Sequence, residues 1–290
     1  MSRVFQMSVN TMMKHSLLFL ALFFSAVVSA QDLPQPSPPG EVHQVVGLTQ
    51  VHVTYARPSV KGRKIFGDLV PFGKVWRTGA NRCTIIAIDG DVQVQGSTLP
   101  AGKYSIFTTP GKEAWLVHFN RNIDLWGEED RKPEEDVLVV KAAPVSSEFT
   151  ETFTIGFGDL ARDAATLDLR WENTRVALTI SADATKQALM NIERALADPA
   201  ADFRAYHSSA RFMVDRGLDA AKALKYAQTS VDKEMKFWNM HTLALALAQN
   251  GQYTKAIETA EKSLSLAQAA QYDAYVSMNK QRIEVWSKMK

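Results

Sequence analysis

At Ser181 the hydrophobic repeat of this chain changes from two residues to between three and four. Few architectures accommodate both halves. From Glu41 to Ser181 apolar residues alternate with polar ones in short runs bounded by Gly, Pro, Asn and Asp, the pattern of half-buried antiparallel strands. The strand candidates are a segment around His43, then Val51–Tyr55, Thr84–Ile88, Asp91–Gln95, Tyr104–Thr108, Ala114–Asn120, Val137–Lys141, Phe149–Phe157, Ala165–Trp171 and Arg175–Ser181. Asp89-Gly90 between the third and fourth is a hairpin signal, because Asp-Gly accepts positive φ. No helix-length segment separates these runs, so parallel βαβ units are excluded and a β-sandwich or jelly roll is expected over 41–181.

Beyond Ser181, Asp183 is placed to cap a helix running to Ala197, which Asp198-Pro199 ends. Alanine-rich amphipathic segments follow to the C-terminus, so 183–290 reads as an all-α domain. Tyr206, Ala210, Met213, Gly217, Ala223 and Leu224 are echoed by Met240, Ala244, Leu247, Gly251, Ala256 and Ile257, and Ala223 to Ala256 is a step of 33 residues. This is close to the tetratricopeptide period of about 34, in which Ala or Gly lets paired helices approach and stacked pairs make a concave surface. Tyr272, Tyr275, Ile283 and Trp286 predict a last helix covering the end of the stack, and Phe237, Trp238 and Trp286 read as packing aromatics.

The densest run of special residues is YARPSVKGRKIFGDLVPFGKVWRTGANRCT, Tyr55 to Thr84. Arg57, Lys61, Arg63, Lys64, Lys74, Arg77 and Arg82 face a single local acid, Asp68, and Pro and Gly punctuate the run. Arginine grips carboxylate or phosphate through paired hydrogen bonds, lysine adds mobile charge, and an indole face suits a sugar or flat ring. Arg57, Lys61, Arg63, Lys64, Lys74, Trp76, Arg77 and Asn81 therefore form a candidate site for an anionic small molecule or glycan. The competing reading is that Arg57 and Arg77 tie a long ordered loop to groups elsewhere in the β-domain, with Phe66, Phe72 and Trp76 as apolar anchors.

The first thirty residues have their own logic. Lys14 precedes the twelve nearly all-apolar residues Leu17–Val28, and Val28-Ser29-Ala30 offers a small-x-small cleavage pattern. A bilayer-spanning helix needs about 20 residues, so 1–30 is expected to be a signal peptide, with translation starting at Met1, Met12 or Met13. The Pro-rich stretch 31–40 then serves as a linker. Cleavage near Ala30 would send the chain to the periplasm or outside the cell, with no stable membrane anchor. It would also remove Arg3 and Lys14, leaving 31 basic and 31 acidic side chains, a balance that argues against nucleic acid as a partner. The lone Cys83 cannot form an intramolecular disulfide and reads as a small buried hydrophobe.

Motifs of known chemistry are missing. GRKIFGDL at Gly62–Leu69 has phosphate-loop glycine spacing but carries Asp68 where lysine is needed. HExxH, GxSxG, GxGxxG and CxxC do not occur, so no catalytic residue, metal ligand or cofactor is assigned. His43, His52 and His118 fall on predicted strands without diagnostic spacing.

The run ARPSVKGRKIFGDLVPFGKVWRTGAN, followed by LPAGKYSIFTTPGKEAWLVHFN at Leu99–Asn120, resembles the exported bacterial family known as domain of unknown function 2911. The resemblance covers most of 40–180. It implies an exported β-domain, and larger members carry a helical C-terminal extension like this one. The family commonly has Glu and a small residue after GAN, where this chain has Arg82 and Cys83. Two functions stay open: a non-catalytic binding protein of the cell envelope, using the basic loop or a protein partner on the helical domain, and a hydrolase using His118 or another histidine with carboxylates from other strands.

Overall fold

A computed structural model of the chain describes residues 33–289; the expected signal peptide lies outside them. Ten antiparallel strands from Pro39 to Ser181 form two sheets, and six helices follow. The six-stranded sheet has the order β1 (Pro39–Val46), β2 (Thr49–Ala56), β3 (Thr84–Ile88), β6 (Gly102–Thr109), β7 (Trp115–Asn120), β8 (Asp136–Ala142). The four-stranded sheet has the order β5 (Ser97–Leu99), β4 (Val92–Val94), β10 (Ala164–Ser181), β9 (Pro144–Gly158).

Alternation supplies the core directly. Val51, Val53, Ile86, Ile106, Val117 and Phe119 of the larger sheet meet Val94, Ile155, Leu167, Leu169, Leu178 and Ile180 of the smaller one, all at 2% exposure or less. Two expectations are corrected here. Ala165–Trp171 and Arg175–Ser181 are one strand, because Glu172 at φ 54° sits between two register shifts against β9 and absorbs the irregularity as a bulge rather than a turn. β1 begins at Pro39, inside the stretch expected to be linker; as the first residue of an edge strand, proline forfeits no ladder bond.

The long loop between β2 and β3 is built into this sandwich. Phe66 and Trp76 from the loop, Trp115 from β7, Phe153 from β9 and Trp171 from β10 form one aromatic cluster, with Trp76 stacked on Trp171 at 5.6 Å and 18°. Trp76 also exchanges backbone hydrogen bonds with Thr108 at 2.7 and 2.9 Å, adding a bridge to β6.

The helices are α1 (Thr185–Leu196), α2 (Phe203–Arg216), α3 (Ala220–Lys233), α4 (Phe237–Gln249), α5 (Tyr253–Ala269) and α6 (Asp273–Ser287). Asp183 accepts from Thr185 N at 2.9 Å at the start of α1, and Gly217, left-handed at φ 65°, closes α2. Ala210, Ala223, Ala227, Ala244, Ala256 and Ala260 are fully buried where helices cross. The repeat extends to buried polar groups: Ser230 Oγ donates to Phe203 O at 2.7 Å, and Ser263 Oγ donates to Phe237 O at 2.6 Å, each stitching the second helix of a pair to the start of the first. Trp286 of α6 is buried against the stack.

Candidate functional site

The structure gives the arginines and the indole of the predicted anionic site partners of their own and leaves its lysines exposed. Arg57 donates from Nε to Phe153 O at 3.2 Å and from Nη2 to Thr154 Oγ1 at 2.9 Å, pinning the loop to β9. Arg63 donates to Val60 O and Ser59 O within its own turn. Arg77 pairs through Nε with Glu128 at 3.1 Å and donates through Nη1 to Asn81 O and Trp126 O. Asn81, at φ 58°, spends its amide on Ser37 O. Trp76 is buried and its Nε1 donates to Gly79 O at 3.0 Å, so its ring offers no face to a sugar; the aromatic cluster claims it instead. Lys61, Lys64 and Lys74 remain exposed and join no ion pair among the described residues.

A polar network lies on the outer face of the six-stranded sheet. Strand alternation turns Trp115, Val117 and Phe119 to the core and His118 and Asn120 the other way, under the segment that connects β7 to β8. His118 Nδ1 lies 3.1 Å from Asp136 Oδ2, and Nε2 lies 3.0 Å from Thr109 Oγ1. Arg131 pairs with Asp136 and places Nη2 3.0 Å from the same His118 Nδ1; Asn120 Nδ2 donates to Asp136 Oδ1 at 2.9 Å. Burial and Arg131 lower the His118 pKa, outweighing Asp136, so the ring is neutral at pH 7. Hydroxyl, imidazole and carboxylate in series are the parts of a general-base array. Arginine has only donors, however, and a bond from Arg131 to Nδ1 puts the ring proton on Nε2, which then donates to Thr109 rather than accepting from it.

Sequence reading singled out His118 but missed Thr109, Arg131 and Asp136. The available signal was register: in an antiparallel sheet Asn120 opposes Asp136 and His118 is diagonal to Thr109, which follows only once β6, β7 and β8 are neighbours. His43 and His52 pair directly across β1 and β2, with β3 and β6 between them and β7, and contact Gln50 and Glu41 respectively. Among the described residues no group of three or more His, Cys, Asp and Glu side chains is arranged to hold a metal ion. Cys83 is buried beside Ser105, Phe107 and Leu125, and Arg82 makes an exposed pair with Asp124.

The concave face of the helices differs from the loop. α2, α4 and α6 line a trough of about 650 Å³ with Arg211, Asp215, His241, Leu245, Gln249, Arg282 and Trp286 among its walls. Arg211 is held by Asp215 at 2.9 Å; exposed Arg282 joins no ion pair among the described residues. Asn279 gives its amide hydrogens to Ser263 Oγ and Tyr275 O, so its Oδ1, 2.7 Å from His241 Nδ1, accepts the ring proton and leaves His241 Nε2 as the unprotonated ring nitrogen. Burial lowers the His241 pKa, and the charges of Arg211 and Arg282 lower it further against the Asn279 bond. A second cavity of about 540 Å³ lies at the junction of the two domains, between Leu48 and the α1–α2 pair, beside the Arg216–Asp163 pair at 2.7 Å.

Fold and surfaces together define a two-part protein: an antiparallel β-sandwich with a long built-in loop, carrying a helical domain with a concave face. Residues 37–180 match the family described as a protein of unknown function, DUF2911, and this chain belongs to that family through its β-domain. No curated protein and no solved structure matches the chain.

Proposed function

We propose that this chain is a non-catalytic binding protein of the cell envelope, and that its binding surface is the concave trough of the helical domain. The observation that carries this reading is the trough itself. It is large enough for a polypeptide segment, its lining includes apolar Leu245, Val285 and Trp286, and of its arginines Arg211 is paired with Asp215 while Arg282 joins no ion pair among the described residues. Arg282, with Arg211 beyond it, favours a segment bearing a carboxylate. Export rests on the apolar run and small-x-small pattern of residues 17–30. The test is fluorescence anisotropy against a set of acidic, neutral and basic peptides that share one apolar core. Preference for the acidic set, reduced about tenfold by Arg282→Ala, is the expected result for loss of a charge-assisted contact. Equal affinity of wild type and variant for every peptide would sink it.

A second reading, a hydrolase of the β-domain, rests on the Thr109–His118–Asp136 series. Nitrogen-15 shifts of His118 decide between the two tautomers. A proton on Nδ1, together with ester turnover lost in His118→Ala, would favour the enzyme; a proton on Nε2 leaves Thr109 without a base.

A further inference from the structure

Once the arginines of the long loop are accounted for, what it exposes is a different surface. Residues 61–64, 67–69 and 71–74 are all exposed, while Ile65, Phe66 and Val70 are buried beneath them. Leu69 is 46% exposed and Phe72 39%, the two apolar side chains the loop presents to solvent. They stand in the same turn as the exposed Lys64 and Lys74. Leu69 N bonds to Lys64 O at 3.4 Å and Lys74 N to Pro71 O at 3.3 Å; the Phe72 ring lies over Gly67, where a Cβ would come within 2.7 Å of it. Asp68 lies within the turn and Glu151 Oε1 accepts from Lys61 N at 2.9 Å, while the turn itself carries Lys61, Arg63, Lys64 and Lys74.

The platform is also stiff. Gly67 N→Val70 O and Val70 N→Ile65 O at 2.9 Å close the turn, and Gly73 N→Pro110 O at 2.8 Å fastens it to the end of β6. Two apolar side chains held out by a rigid turn need little further ordering to enter another phase. A small phosphate would call for convergent donors, whereas here the cations flank an apolar tip. A bilayer interface takes both at once: apolar tips enter the acyl boundary while lysines meet phosphates above it.

We propose that the tip spanning Lys61 to Lys74 docks peripherally on an anionic lipid bilayer, Leu69 and Phe72 entering the interface and Lys61, Lys64 and Lys74 facing the headgroup phosphates. This surface is separate from the helical trough, and either can fail without the other.

The test exploits Cys83, which is buried and leaves an engineered surface cysteine as the residue that labels. A nitroxide at Leu69→Cys and another at Gln228→Cys on α3 are compared in the full chain, with vesicles of phosphatidylcholine alone or mixed with phosphatidylglycerol. The expected result is that the label at 69 loses contact with a water-soluble relaxer on the anionic vesicles, while the label at 228 stays exposed. Because both labels ride on the same chain, binding through residues 1–30 would not single out position 69. Replacing Lys61, Lys64 and Lys74 together by Ala should weaken phosphatidylglycerol-dependent partitioning by on the order of a hundredfold, about fivefold for each lysine. Phe72→Ser should weaken it about tenfold. The proposal is overturned if the label at 69 stays wet on both vesicle types, if the lysine variant partitions like wild type, or if glycerol phosphate or an acidic peptide displaces the chain from vesicles at the concentrations that saturate it in solution.

Discussion

The long loop of the sandwich and the concave face of the helices are both rich in arginine, yet they spend it differently. In the loop, Arg57, Arg63 and Arg77 donate to backbone carbonyls, a threonine hydroxyl and Glu128, so each guanidinium works as a clamp. In the trough, Arg282 joins no ion pair among the described residues, and Arg211 is balanced by one exposed neighbour a helical turn away. Density of charge along a sequence therefore says less about binding than what surrounds each charge after folding. A long loop has many carbonyls to satisfy and uses arginine for it, whereas a helix satisfies its own and leaves side chains free.

The strongest way to break this contrast is Trp76→Ala. If the loop is core, losing the ring from the aromatic cluster should cost about 3–5 kcal/mol, read as a lower urea midpoint. A cost below about 1 kcal/mol would mean that the loop is not built into the sandwich.

Arg77→Ala comes next, at about 2 kcal/mol, because a partly buried charged hydrogen-bond set is lost. Proteases should then cut within 60–80. Arg282→Ala should stay within about 0.5 kcal/mol of wild type, and equal costs for the two arginines would erase the distinction.

A pH series sharpens the helical side. The His207 pKa is pushed down to about 4, first by burial and then by Arg211 and His241. The unfolded chain takes up this proton below its ordinary value of 6.5 and the folded chain resists it, so His207's contribution is complete above pH 6.5 and is lost as pH falls toward about 4. His241 and His118, also lowered, act in the same direction. The ring is only partly buried, so about 1 kcal/mol is expected, seen as a flatter pH dependence of the denaturation midpoint in His207→Phe. A carboxylate bound beside Arg211 would move the wild-type window upward; an unchanged slope in the variant would remove His207 from the account.

The smallest effect belongs to Lys74→Ala. Exposed and without an ion pair among the described residues, this lysine should change stability by less than about 0.5 kcal/mol in a thermal melt. A larger loss would reveal a structural partner in the one part of the loop that stands free.

Much of the fold could be read from periodicity. Alternation between Glu41 and Ser181 identified most of the strands; it passed over the three-residue β5 at Ser97–Leu99, began β9 at Phe149 rather than Pro144, and took the bulge at Glu172 for a turn, while the step from Ala223 to Ala256 identified paired helices. Less of the site was legible. Lysine and arginine look alike as charges in a sequence, and only the carbonyls of Phe153, Asn81 and Trp126 distinguish the clamps from the free cations.

By itself the sequence determined where strand gives way to helix, which residues face inward, and that a basic, turn-rich segment stands between β2 and β3. These follow from local chemistry, since backbone period and side-chain polarity act over a few residues. Tertiary structure alone decided that Trp76 is core rather than a binding face, that Asp136 and Arg131 meet His118, and that α2, α4 and α6 enclose a trough. Each depends on residues brought together from distant strands or helices, whose register is fixed by packing of the whole core and not by any single segment.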